Sequence, residues 1–141
     1  MAEKIALVSC VSKKAAEPQP AEDLYQSTWF RKAAAYAKQI SDRWYILSAK
    51  HGLLSPEQVI PPYDETLNNM GAAQRRSWAN SAAKQLQGVV QEGDQVIFLA
   101  GVKYRENLIP PLQKRDCIID IPMKGLRIGE QMSWLNQKLN L

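Results

Sequence analysis

The constraint that narrows this chain most is a pattern met four times: a short apolar, β-branched run ending in small polar and cationic residues. Ile5–Val8 runs into Ser9-Cys10-Val11-Ser12-Lys13-Lys14, and Tyr45–Leu47 into Ser48-Ala49-Lys50-His51-Gly52. Val96–Leu99 runs into Ala100-Gly101-Val102-Lys103-Tyr104-Arg105, and Ile118–Ile121 into Pro122-Met123-Lys124-Gly125-Leu126-Arg127. Such runs read as buried strands. Between them, apolar residues return every three or four positions, the period of an amphipathic helix. Strands alternating with helices argue for an α/β domain, because each parallel crossover needs a helix to return the chain and cover the sheet. The expectation is a single three-layer domain over residues 1–141, with a mainly parallel sheet of about four strands flanked by helices.

Strands are expected at residues 4–9, 44–48, 95–100 and 117–121. Ser27 or Thr28 can cap a first helix that ends near Ser41-Asp42, with Trp29, Phe30, Ala33, Ala34, Ala37 and Ile40 on one face. A second helix should run from near Gly71 to Gln87 with Trp78, Ala82 and Leu86 on one side. A third starts near Tyr104 and must break at Pro110-Pro111, where proline removes a backbone donor and clashes with the preceding turn. The last spans Gly129 to Lys138. Gly52 lets the backbone turn sharply after His51. From Ser55 to Met70 the chain carries three prolines and little periodicity, a long excursion of the kind that often serves function. Pro61-Pro62 stiffens it around Tyr63 and Asp64.

No apolar run approaches the roughly 20 residues needed to span a bilayer. The amino terminus enters a strand directly, without the parts of a secretory signal, so the expected location is the cytoplasm, with no membrane partner. Cys10, Cys117 and the one histidine lack metal-ligand spacing, which argues against a metal centre, and no cofactor motif is present. Cys117 reads as core. Cys10, at a strand end, reads either as a nucleophile or ligand contact, or as a small residue facing a tight turn.

The net charge of +4 favours a polyanion only if the cations cluster. Lys13, Lys14, Lys50, Lys103, Arg105, Lys124 and Arg127 all follow strands, whereas Arg31, Lys32, Arg75, Arg76 and Lys84 sit on helices as solvated faces. Ligands of open α/β sheets bind outside the carboxyl ends of the strands. The four tails would then gather into one basic, hydroxyl-rich cleft suited to an anion.

In such a cleft Lys13, Lys50 and Arg127 can neutralise phosphate, while amides at Ser9–Ser12 or Gly101 can bind oxyanions. Tyr25, Tyr63 and Tyr104 can stack on a base and donate hydrogen bonds, or can be ordinary boundary residues. Cleaving an N-glycosidic bond needs a carboxylate near the sugar, and Asp64 is the best placed, with Asp23 next. His51, beside Ser48 and Lys50, can protonate the departing base or serve as a structural hydrogen-bonding group. No Gly-x-Ser-x-Gly elbow, P-loop or dinucleotide fingerprint is present.

Taken in order, the motifs VSCVSKK (8–14), DLYQSTWF (23–30), LSAKHGLLSPEQVIPPYDETL (47–67), LAGVKYRENL (99–108) and PMKGLRIGEQMSWL (122–135) span nearly the whole chain. Through them it resembles a bacterial and phage family of small proteins related to the peroxide-stress protein YaaA. The likeness is sharpest at Leu47 to Pro56, at Pro62-Tyr63, and at Leu99-Ala100 with Tyr104, although the chain is much shorter than YaaA. It implies DNA binding and protection against oxidative damage. A fainter likeness is to the archaeosine synthase core, where a strand-end Cys precedes Pro-Tyr-x-x-Ser. Cys10 with Leu24-Tyr25-Gln26-Ser27 is similar, with Leu24 in place of the proline. That core is similar in outline to uracil-DNA glycosylases.

The combined expectation is a protein that recognises a nucleobase on nucleic acid, DNA ahead of RNA, or a nucleotide. Ser9, Lys13, Tyr25, Ser27, Ser48, Lys50, Tyr63, Gly101, Tyr104 and Arg127 would bind it, and Asp64, His51 and Cys10 would act in glycosylase-like chemistry. The alternatives are a non-catalytic DNA-binding or DNA-protecting module and a nucleotide sensor.

Overall fold

The computed structural model describes residues 2–141. Among these residues seven strands form: β1 (Lys4–Ser9), β2 (Gln19–Pro20), β3 (Arg43–Ser48), β4 (Gly52–Leu54), β5 (Val59–Ile60), β6 (Gln95–Leu99) and β7 (Ile118–Asp120). Five make one sheet in the order β4-β3-β1-β6-β7, while β2 and β5 form a separate antiparallel pair. In the main sheet β1, β3, β6 and β7 are parallel, so all four tails emerge on one edge. Among the described residues six α-helices, with a short 3-10 helix at Leu67–Asn69, complete the fold: α1 (Ala21–Leu24), α2 (Thr28–Ile40), α3 (Ala72–Gln87), α4 (Val102–Arg105), α5 (Ile109–Lys114) and α6 (Ile128–Leu139).

The middle of the sheet is β1, with the 43–48 strand beside it. Ile5 to Ser9 are all buried because parallel neighbours flank β1 on both sides. In β3 only Ile46–Ser48 are fully buried, because three-residue β4 covers just that end. The fifth strand is the element that the apolar runs do not announce. Gly52, at φ 74°, turns the chain back so that Gly52–Leu54 pairs antiparallel with β3. Gln85 of α3 fastens this turn, accepting from the Leu53 amide at 2.9 Å and donating to the His51 carbonyl at 3.2 Å. The positive φ demands glycine here, and a Cβ on Gly52 would also displace Gln85 Oε1 from its hold on the turn.

The chain crosses from β1 to β3 through α2 and from β6 to β7 through α4 and α5. These moves run in opposite directions along the sheet, and right-handed crossovers therefore put the helices on opposite faces. Ser27 caps α2 by accepting from the Phe30 amide at 3.0 Å, and Phe30, Ala33, Ala34 and Ala37 form its buried stripe. Fully burying a side chain such as Phe30 contributes about 1.5–3 kcal/mol. The expected break falls where the prolines are: α4 ends at Arg105, and Pro110 and Pro111 enter the first turn of α5, where their missing amides cost nothing. Among the described residues no helix is long and apolar enough to cross a membrane.

The opposite edge of the sheet is held by Asp94, which is 2% exposed and accepts from the amides of Glu3 at 2.9 Å and Gln91 at 2.8 Å. Burial alone would raise its carboxyl pKa, but these two amides, helped by Arg43, lower it below the usual value. A depressed folded pKa means stability that is present above the ordinary carboxylate range, near pH 4, and is lost as pH falls through the folded value. Asp94→Ala should therefore destabilise the protein by about 1–3 kcal/mol at pH 7. Urea denaturation from pH 7 to pH 2 should show the difference from the unmutated protein narrowing below about pH 4.

Candidate functional site

The loops after β1 and β6 leave the sheet in opposite directions, and between their tails lies the topological switch point at which open α/β sheets bind ligands. A cavity of about 700 Å³ occupies this position. The β1 tail contributes Ser9 to Ser12 and Lys14, and the β6 tail contributes Gly101, Val102, Lys103 and Tyr104. Glu65, Thr66 and Asn68 come from the excursion, Ser27 and Trp29 from the start of α2, and Ile128 and Gln131 from the start of α6.

The floor is polar. Tyr104 Oη accepts from the Leu67 amide at 3.4 Å, which leaves its proton free to reach Cys10 Sγ at 3.4 Å. Trp78 packs edge-on against Tyr104, centroid to centroid 5.7 Å, and donates its indole N–H to the Ser48 carbonyl at 2.8 Å. Ser9 is 7% exposed, and its hydroxyl has no hydrogen-bond partner among the described residues.

Behind this floor runs a buried chain of hydroxyls. Ser48 Oγ accepts from the His51 amide at 3.0 Å and donates to Tyr63 Oη at 2.8 Å, and Tyr63 and Tyr25 share a hydrogen bond of 2.5 Å. Burial pushes the hydroxyls of Tyr25, Tyr63 and Tyr104 far above the usual tyrosine range, and negative charge on Cys10 would raise each further. All three stay protonated and can act as donors at neutral pH. Lys14 lies over the Tyr63 ring at 4.3 Å and nearer than 6 Å to Tyr25, at 5.8 Å, so its ammonium is held where it also lines the cavity.

The structure divides the residues expected from sequence into three groups. Ser9, Cys10, Ser27, Gly101 and Tyr104 line the cavity together. Tyr25, Ser48 and Tyr63 are buried behind it, with ring edges and hydroxyls already engaged by protein, so they brace the site rather than line it. Lys13, Lys50, Asp64 and Arg127 are exposed and outside the lining, and His51 is half-buried against Tyr63, ring centroids 5.6 Å apart. In three cases the neighbour in sequence takes the place instead: Lys14 for Lys13, Glu65 for Asp64 and Ile128 for Arg127. Tyr63 and Leu67 are both buried, which pins the backbone so that Glu65 and Thr66 present to the cavity. Trp29, Thr66, Asn68 and Gln131 were legible only as helix-face or loop residues.

A mostly parallel sheet with a lined cavity at its switch point defines an open α/β domain with a crevice at the carboxyl ends of its strands. The chain belongs to the family of unknown function DUF6884, whose profile matches residues 5–137. It is similar to the uncharacterized protein YfjM of Bacillus subtilis strain 168, with 31% identity over 118 residues and 74% of each chain covered. No solved structure matches it significantly.

His51 is the one histidine, so its titration can be followed without overlap. Burial, and then the Lys50 ammonium, lower its pKa, with Glu65 partly opposing them. An NMR titration should give a midpoint below about 6.5. Lys50→Ala should move the midpoint up and Glu65→Gln should move it down; shifts of the opposite sign would contradict this electrostatic arrangement.

Proposed function

We propose that this protein recognises a nucleobase presented on nucleic acid, DNA ahead of RNA, with the base in the switch-point cavity and phosphates on the surrounding cations. The observation that carries the reading is the pairing of that cavity with cations that protein carboxylates do not neutralise. The ion pairs among the described residues are Lys38–Glu22, Arg43–Glu3 and Arg75–Glu106. Lys13, Lys14, Lys50, Lys103, Lys124 and Arg127 take part in none of them. The resemblance to YaaA-related proteins and to the archaeosine synthase core points the same way.

The cavity also has the parts for glycosylase-like hydrolysis. Glu65 is its one carboxylate and takes the role expected of Asp64: stabilising positive charge on the sugar and accepting a proton from the water that attacks the anomeric carbon. Tyr104 and Cys10 can donate to the departing base as the C–N bond breaks. A second reading, a binding module without chemistry, is favoured by one observation: Glu65 has no hydrogen bond or ion pair among the described residues to orient it.

Incubating the protein with DNA and transfer RNA and analysing released bases by mass spectrometry separates the two. Release that is lost in Glu65→Gln and kept in Asp64→Asn supports hydrolysis, and no release from substrates that bind supports the module. In either case single-stranded DNA should bind, and Lys14→Ala and Lys103→Ala should each flatten the salt dependence of log K by about 0.7. Failure to bind DNA, RNA or nucleotides at low salt would sink the proposal.

A further inference from the structure

Trp29 stands at the mouth of α2 with its indole N–H donated to Gln131 Oε1 at 2.8 Å. Gln131 in turn donates its Nε2 to the Leu126 carbonyl at 3.0 Å. Both ends of the amide are used inside the protein, so Gln131 acts as a fixed bracket between α6 and α2. The indole cannot offer its polar edge to a ligand. What it presents to the cavity is ring carbon.

Two more apolar side chains line the same cavity while remaining largely in water: Ile128 is 65% exposed and Val102 is 56% exposed. They come from different elements, the first turns of α6 and α4, and both line this cavity. Leaving such surface uncovered forgoes stabilisation that a ligand with an apolar face would supply. Ser9 offers the complementary polar group, because its hydroxyl lines the cavity with no protein hydrogen bond among the described residues and is open to a polar ligand atom. An inorganic anion or a sugar would leave the apolar walls bare, and an alkyl chain would leave the Ser9 hydroxyl and the lysines unmatched.

Resting on the nucleobase reading above, we infer that Trp29 is the stacking platform for an unpaired base, fixed by Gln131 and flanked by Ile128 and Val102, with the base edge directed to Ser9. The site therefore takes a base swung out of a strand, not one stacked within a duplex, whose faces are already covered. Neighbouring phosphates reach Lys14 and Lys103, which line the same cavity.

The test is fluorescence anisotropy with a single-stranded oligodeoxynucleotide and with a strand of equal length and charge built wholly from abasic tetrahydrofuran units. The unmutated protein should prefer the base-bearing strand by about tenfold or more, the range expected when one base stacks on an aromatic ring. Trp29→Leu should lose most of that preference, and Trp29→Phe should keep part of it. Circular dichroism would confirm that both variants fold. Ile128→Ser, at a position 65% exposed, should reduce the preference about threefold, since it removes apolar contact alone. Equal binding of the two strands by the unmutated protein would overturn the platform while leaving phosphate recognition standing. A preference unchanged by both Trp29→Leu and Ile128→Ser would overturn it as well. Failure of the unmutated protein to bind either strand would remove the nucleobase reading itself, and this inference with it.

Discussion

The site depends on one physical constraint, the double parallel pairing of β1. Its register sets Val8 opposite Leu99 on one side and Ser9 opposite Leu47 on the other. The ladder continues one residue past the strand, where the Cys10 amide donates to the Leu47 carbonyl at 2.9 Å. Ser9 and Cys10 are thus fixed by backbone hydrogen bonds at the level where the β6 tail opens into Gly101. Because the crossovers from β1 and β6 then run apart, no segment fills the gap between them. The cavity is a consequence of strand order, and the sheet's own backbone hydrogen bonds hold the Ser9–Cys10 part of its floor.

Its chemistry follows from burial. Three tyrosine hydroxyls in or just behind the floor are held protonated by desolvation, and His51 is pushed toward its neutral form by the same cause. Tyr104 is therefore an uncharged donor at the floor, and Tyr25 and Tyr63 are uncharged hydroxyls that brace it from behind. Charge is left to side chains at the rim, Lys14 and Lys103 with Glu65 among them. Recognition of a heterocycle by polar edge and apolar face, with phosphates held outside, divides the work along these lines.

Much of the scaffold was legible in the sequence because it rests on local periodicity. The four parallel strands, the Ser27 cap and the interruption before Pro110-Pro111 come from patterns a few residues long. The antiparallel β4 and the β2–β5 pair were not legible, since two or three residues carry no period, and β4 exists because a positive-φ glycine is fastened by a side chain over thirty positions away. The site was legible to within about one residue. Strand tails fixed the neighbourhood, but whether Lys13 or Lys14, Asp64 or Glu65, turns inward is decided by contacts such as Lys14 on Tyr63. The Tyr25–Tyr63 bond and the Trp29–Gln131 bracket join positions 38 and 102 apart in the chain, and only the packed fold brings them together.

The most direct measurement is a ¹⁵N–¹H correlation spectrum of the labelled protein titrated with a short single-stranded DNA. If the switch-point cavity is the recognition site, shifts should concentrate in the amides of Cys10 to Ser12, Gly101 to Tyr104 and Ile128 to Gln131, and in the Trp29 indole N–H. Shifts confined to the opposite edge of the sheet, around Asp42, Gln91 to Gly93 and Asp116, would contradict it, as would a spectrum that does not change.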